Sequence, residues 1–266
     1  MKQVEDFRTE VAELGTLLET LTDAQWETVT QFKGYTINDL VRHLHQGDHM
    51  GLASIAGPEA FAALRAKRLK RREGGLSSRD DARAEYGHLG GAALLEAWRG
   101  AAARLADALS KLGPDARLRW SGPDMGVKMF ATARQMEVWA HGHDVYDILG
   151  VERVAQDRLD NIAVIGVRTF GWTFANRGLK PPGPAPRVTL TAPSGAIWRW
   201  NEESTSGEVS GSALDFCQVV TQVRNVADTG LKVEGEGAKA WMAIAQCFAG
   251  PPEDPPVAGT RHGVKV

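Results

Sequence analysis

The chain has 266 residues, 43% of them hydrophobic and 24% charged, an ordinary globular composition with length for two domains or one large one. Thirty-one Lys and Arg stand against 33 Asp and Glu, a formal charge of -2, so no general attraction to nucleic acid or anionic lipid is expected. Charged residues, histidine or glycine interrupt every apolar stretch before the roughly 18 to 20 residues a spanning helix needs, which predicts a soluble protein that crosses no membrane.

The opening MKQVEDFRTEVAEL is charged and periodic and lacks the apolar core of a secretory signal, which points to the cytoplasm. Apolar positions three and four apart predict a first helix over 4–21, with Val11, Leu14, Leu17, Leu18 and Leu21 as its stripe. Thr36 followed by Asp39 reads as a capping box, and Ile37, Leu40, Val41 and Leu44 then set the face of a second helix. Residues 65–83 concentrate basic side chains and read as a solvated helix end with a loop, or as a mobile segment, rather than as an anion site. A third helix is expected over 91–112, stopped by Gly113 and Pro114, and a fourth over 129–149, stopped by Gly150. Four helices of this length fit an antiparallel bundle over 1–150, although the connection before the third is long.

The second half changes character. A fifth helix over 156–177 leads into PPGPAP and then into the β-rich stretches RVTLTAP, AIWRWNEE and GEVSGS. A helix over 213–223, a short strand over 231–234 and a last helix over 238–248 follow, and PPEDPPVAG at 251–259 reads as a loose tail. Residues 151–266 are therefore expected to form a smaller α+β domain. Cys217 and Cys247 are too few and too far apart for a disulfide framework or a CxxC pair, and read as buried structural thiols.

The fourth helix carries the chemistry. In MFATARQMEVWAHGHDVYDILG, the residues Glu137, His141 and Asp144 share a strip with Phe130 and Ala133, so polar groups occupy an apolar arc. A carboxylate and an imidazole one turn apart on a buried face must be paired, hydrogen-bonded or metal-bound, and both can reach a single cation. The second helix offers further ligands in VRHLHQGDHM, namely His43, His45, Asp48 and His49. On an ideal helical wheel His45 lies nearer the apolar centre than His43 or His49, so periodicity alone favours His45.

Taken together, TINDLVRHLHQGD and ARQMEVWAHGHDVYDILG resemble the mycothiol-dependent maleylpyruvate isomerase family, within the wider DinB-like metal-binding superfamily. The stretch from GEVSGS to FAGPP is similar to the C-terminal part of an uncharacterised subfamily of these proteins, so the resemblance spans most of the chain. It implies an α+β protein: a DinB-like four-helix metal-binding bundle followed by a smaller α+β domain, with an active cleft between them. It further implies His43, Glu137 and His141 as metal ligands, against the wheel's preference, with His45 in reserve. Asp48 and Asp144 are then expected to orient an imidazole, with His49 and His143 facing outward. An arginine of the second domain, Arg224, is implied as the carboxylate-binding catalytic group, although it can equally pair with Asp228.

Two histidines and a glutamate leave a coordination position open, the catalytic pattern for zinc, the metal expected here, although nickel, iron and cobalt accept the same donors. The implied cosubstrate is a low-molecular-weight thiol, mycothiol or an equivalent, and the implied reaction is cis–trans isomerisation of, or S-transfer to, an unsaturated keto or dicarboxylic acid. Two other classes stay open: a hydrolase using metal-bound hydroxide, and a non-enzymatic protein that binds a metal or ligand. Nothing in the sequence indicates an oligomeric state.

Overall fold

A computed structural model describes residues 1–122 and 124–263. The chain divides into two units, Met1–Ile148 and Leu149–Val266.

The first unit is helical. Its long helices are α1 (Lys2–Glu19), α3 (Ile37–Ala56), α6 (Gly91–Ser110) and α7 (Val127–Leu149), with a single turn, α2 (Asp23–Trp26), after the first. Thr36 caps α3 as its sequence predicts: its side chain accepts from the Asp39 N–H, and the Asp39 carboxylate accepts from the Thr36 N–H. Helix α6 packs on α1 and α3, and Leu94, Trp98, Leu105 and Leu109 of α6 are buried, as are Val4, Phe7 and Leu14 of α1 and Leu40 and Leu44 of α3. Helix α7 is buried on almost every face and ends where Gly150 turns to φ +66°. Residues Arg117–Leu118 and Met125–Gly126 pair as a two-residue ribbon, β1 and β2, before α7. Periodicity gives no sign of strands so short.

The long connection is filled rather than loose. Helix α4 (Pro58–Glu73) ends in the basic stretch and a short loop follows it, the first of the two expected alternatives, but a further helix, α5 (Ser78–Tyr86), which was not expected, closes the stretch. The physical reason is charge pairing. Asp81 on α5 is fully buried and accepts from Arg68 and Arg71 of α4 and from Gln46 of α3. Asp39 of α3 accepts from Arg83 of α5 and Arg42 of α3. Two buried carboxylates thus tie α4 and α5 to α3, and the basic run is structural where it faces inward.

The second unit begins with α8 (Leu159–Arg168) and α9 (Phe170–Ala175). The single helix expected here is broken at Thr169, whose hydroxyl donates to the carbonyls of Ile165 and Gly166. A mixed four-stranded sheet follows in the order β4-β3-β5-β6, from β3 (Arg187–Thr191), β4 (Ile197–Trp200), β5 (Glu208–Ser212) and β6 (Lys232–Glu234). Strands β3 and β5 run parallel, and the other pairs are antiparallel. Val188, Leu190 and Val209 are fully buried, as are Phe216 and Cys217 of α10 (Ala213–Val220). Helix α11 (Glu236–Met242) adds Trp241, edge-on to both Phe170 and Phe216. The helices expected over 213–223 and 238–248 are both shorter, α10 because Gln222 takes φ +59°.

The proline-rich end is not a loose tail. Asn225 donates to the Pro256 carbonyl at 2.8 Å, Arg177 pairs with Asp254 at 2.9 Å, and the Gly259 N–H donates to Asp228 at 2.9 Å. Arg261 donates to the Gln222 carbonyl at 2.5 Å, while the Gln222 amide reaches the carbonyls of Ala245 and Glu253. Prolines removed the donors that would have marked this segment as ordered, so side chains from elsewhere hold it.

Two outcomes follow from this packing. At Gly166 a Cβ would lie 2.8 Å from Val220 and 2.9 Å from Phe216, so Gly166→Ala loses about 1–3 kcal/mol in urea unfolding despite alanine's better helix propensity. Both cysteines are buried, and burial pushes the Cys217 thiol well above its usual range. In a thiol-titration assay with an aromatic disulfide the native protein should therefore leave both unreacted, and the unfolded protein should yield both.

Candidate metal centre

Helices α3 and α7 bring His43, Glu137 and His141 together, one potential ligand atom from each lying within 4.8 Å of the others. His43 Nε2 is 3.2 Å from Glu137 Oε2, and His141 Nε2 is 3.7 Å from the same oxygen. The imidazoles meet edge to face, with ring centres 4.8 Å apart. Asp144 lies beneath His141, its Oδ2 3.3 Å from Nδ1. A proton on Nδ1 is therefore held by Asp144, which leaves the Nε2 lone pair facing Glu137 and His43.

The electrostatics suit a cation. Burial pushes His43 below its ordinary value, against the pull of Glu137, so its imidazole is neutral at neutral pH. Burial alone would raise the Glu137 carboxyl, but the hydrogen bond from His43 and the positive potential of His43, His141 and Arg134 outweigh it and bring it down to about 2. Two imidazoles, that of His43 neutral, and one ionised carboxylate make up a donor set that divalent transition metals accept.

The other residues singled out in the sequence go elsewhere. His45 is buried, but its ring contacts His49 at 4.6 Å and Tyr86 at 4.7 Å, away from Glu137. The wheel was right that His45 is the more buried of the two, but burial does not decide which histidine faces Glu137: that is the partly exposed His43. Asp48 orients no imidazole: it accepts from Arg134 and from the Trp98 indole. His143 is buried against Trp139, with ring centres 4.3 Å apart, rather than facing outward. Arg224 belongs to the second unit, just beyond Gln222, and its Nη1 donates to the Val223 carbonyl at 3.0 Å. Asp228 accepts from Gly259.

One contributor escaped the sequence reading. Phe32 packs edge-on to His141 at 4.9 Å. It is carried on a tight loop in which Val29 bridges Thr36 and Lys33 and Gly34 both take positive φ. The Lys33-Gly34 pair was the available turn signal, though it says nothing of where Phe32 points.

Comparison with known proteins places these observations in a family. The mycothiol maleylpyruvate isomerase N-terminal domain matches residues 7–146, a span that includes all three candidate ligands. Uncharacterized proteins of two Mycobacterium tuberculosis strains, CDC 1551 / Oshkosh and ATCC 25618 / H37Rv, are each 39% identical over 249 residues, 94% of this chain and 96% of theirs. The crystal structure of mycothiol-dependent maleylpyruvate isomerase superposes with a TM-score of 0.54 at 15% identity. A histidine-to-alanine mutant of that enzyme gives 0.56 at 14%, and each comparison covers 95% of both chains. At that identity the likeness establishes a shared fold, α+β with its helical part first. With the domain match over more than half its length, the chain belongs to the mycothiol maleylpyruvate isomerase N-terminal domain family.

Proposed function

We propose that this protein is a metal-dependent enzyme that uses a low-molecular-weight thiol to isomerise, or to transfer sulfur to, an unsaturated keto or dicarboxylic acid. The observation that carries the reading is the convergence of His43, Glu137 and His141 on one point between α3 and α7, in a chain whose solved relatives include a mycothiol-dependent maleylpyruvate isomerase. These three side chains would hold a divalent cation, zinc by donor preference. Such a cation, when bound, lowers the pKa of a coordinated thiol so that thiolate is present at neutral pH.

The chain's own groups account for the rest. Asp144 keeps His141 oriented, and Phe32 packs edge-on against its ring. With Cys217 and Cys247 both buried, the nucleophilic sulfur comes from a cosubstrate. In the reaction proposed, a C–S bond forms at an alkene carbon conjugated to a carbonyl while a proton adds to the neighbouring carbon or its enolate oxygen. The former double bond is then free to rotate, and loss of that proton with cleavage of the same C–S bond returns thiol and the trans isomer. Release before cleavage gives S-transfer instead. Arg224 is assigned the substrate carboxylate, which its planar fork suits.

Metal analysis tests the site. Wild type is expected to take up one zinc or cobalt per chain, and His43→Ala, Glu137→Ala and His141→Ala to lose it, while His45→Ala keeps it; stoichiometric metal in all three ligand variants ends the reading. Protons compete with the cation for imidazole, so affinity should fall once pH drops below the ordinary histidine range, where the buried His43 takes up its proton while Glu137 stays ionised. Thiol-dependent turnover of a cis-enone diacid, followed by loss of absorbance, tests the reaction. Arg224→Lys should raise KM by about tenfold or more, since it keeps the charge and loses the fork, and turnover without added thiol would favour hydrolysis by metal-bound hydroxide.

A further inference from the structure

One turn before Glu137 on α7, and directly beneath it, Arg134 is almost completely buried at 2% exposure. Its guanidinium reaches across to α3 at two levels. Nε donates to Asp48 at 3.0 Å, and Nη2 donates to the Leu44 carbonyl at 3.2 Å while lying 3.0 Å from the same Asp48 oxygen. The second Asp48 oxygen accepts from Trp98 of α6 at 3.1 Å. Leu44 is the residue immediately after His43. The contact therefore grips α3 next to the very ligand that α7 must meet.

Gly47 makes this possible. It lies one turn after His43 on the same face of α3, and a Cβ there would stand 2.7 Å from Arg134 Nη1 and 2.9 Å from Cζ and Nη2. A glycine inside a helix costs about 1 kcal/mol relative to alanine, and this one sits in ordinary helix. What requires it is the notch into which the flat guanidinium fits. Trp120 stands 5.9 Å away over the guanidinium. A planar group bonded at two heights and recessed in a notch resists both sliding and rotation of α3 against α7. One residue of slippage is a 1.5 Å rise, enough to pull His43 out of the 3.2 Å contact with Glu137.

We infer that Arg134, seated in the Gly47 notch and anchored by Asp48, is the positioning residue that sets the geometry of the His43–Glu137–His141 centre. The inference rests on the reading of that centre as a metal site, and the experiment separates the two. Cobalt(II) is titrated into wild type, Arg134→Lys, Gly47→Ala and Asp48→Asn, with the visible d–d absorption and a competing chromophoric chelator as readouts and circular dichroism as the check on folding. Arg134→Lys keeps the charge but loses the fork, and Gly47→Ala keeps every charge but closes the notch. Both are expected to weaken cobalt binding by about 10- to 100-fold and to shift the absorption bands. Leu94→Ala, a cavity in the buried face of α6, is expected to lower stability and leave the bands where wild type has them. Wild-type bands and affinity in folded Arg134→Lys and Gly47→Ala overturn the inference, as does a band shift in Leu94→Ala equal to theirs. Wild type that takes up no cobalt overturns the metal reading itself and this inference with it. Should Asp48→Asn fail to fold because a buried cation has lost its counter-charge, the other two substitutions decide the matter.

Discussion

Everything at the centre of the first unit depends on one carboxylate oxygen. Glu137 Oε2 faces the Nε2 atoms of both His43 and His141, and a carboxylate so placed is tolerable only if its charge is met. The hydrogen bond shared with His43 meets it in part, Arg134 contributes from below, and Glu137 is held ionised. An arrangement of this kind is expensive to fold around and cheap to fill with a cation, the opposite of what a purely structural core would favour. The bundle bears the cost through its other contacts: the capped start of α3, the all-round burial of α7, and the apolar seam of α6 against α1 and α3.

How far the sequence could be read follows from the physics of each element. The start of helix α3 was legible to the residue, because a capping box at Thr36 and a one-sided apolar face are local signals. Helix α7 was legible as a helix but not in its facing, since a rod buried on nearly every side has no strong periodicity and its polar groups are specified by partners far away in sequence. The same limit explains His43 and His45. A wheel ranks burial, and the residue that meets Glu137 is the less buried of the two. Only resemblance to a family singled out His43, and no pattern pointed to Phe32, whose contact with His141 is tertiary.

The errors elsewhere have a common source. The basic stretch was read as solvent-facing, and α5 was missed, because nothing local shows that Arg68 and Arg71 turn onto Asp81 of the same stretch or that Arg83 reaches Asp39 of α3. The C-terminal segment was read as loose because proline hides its order: the ties come from Asn225, Arg177, Asp228 and Arg261 through hydrogen bonds to carbonyls or carboxylates. The Arg83–Asp39 tie and those of the C-terminal segment join residues 31 or more apart in the chain.

The polar groups of α7 fall into two layers that meet α3. In one, Glu137 and His141 face His43; one turn away, Arg134 faces Leu44 and Asp48. The layers differ in how completely they are satisfied. In the lower one both oxygens of Asp48 accept from buried donors, which closes it to any ligand. In the upper one His43 and Glu137 keep partial exposure and a single shared contact at 3.2 Å, which leaves lone pairs to spare. A fully satisfied polar layer fixes register, and an under-satisfied one beside it is where a ligand gains most. The two layers therefore divide the work of one helix pair. The Phe32 ring lies beside the upper layer, while the Arg134 contacts of the lower layer tie α7 to α3.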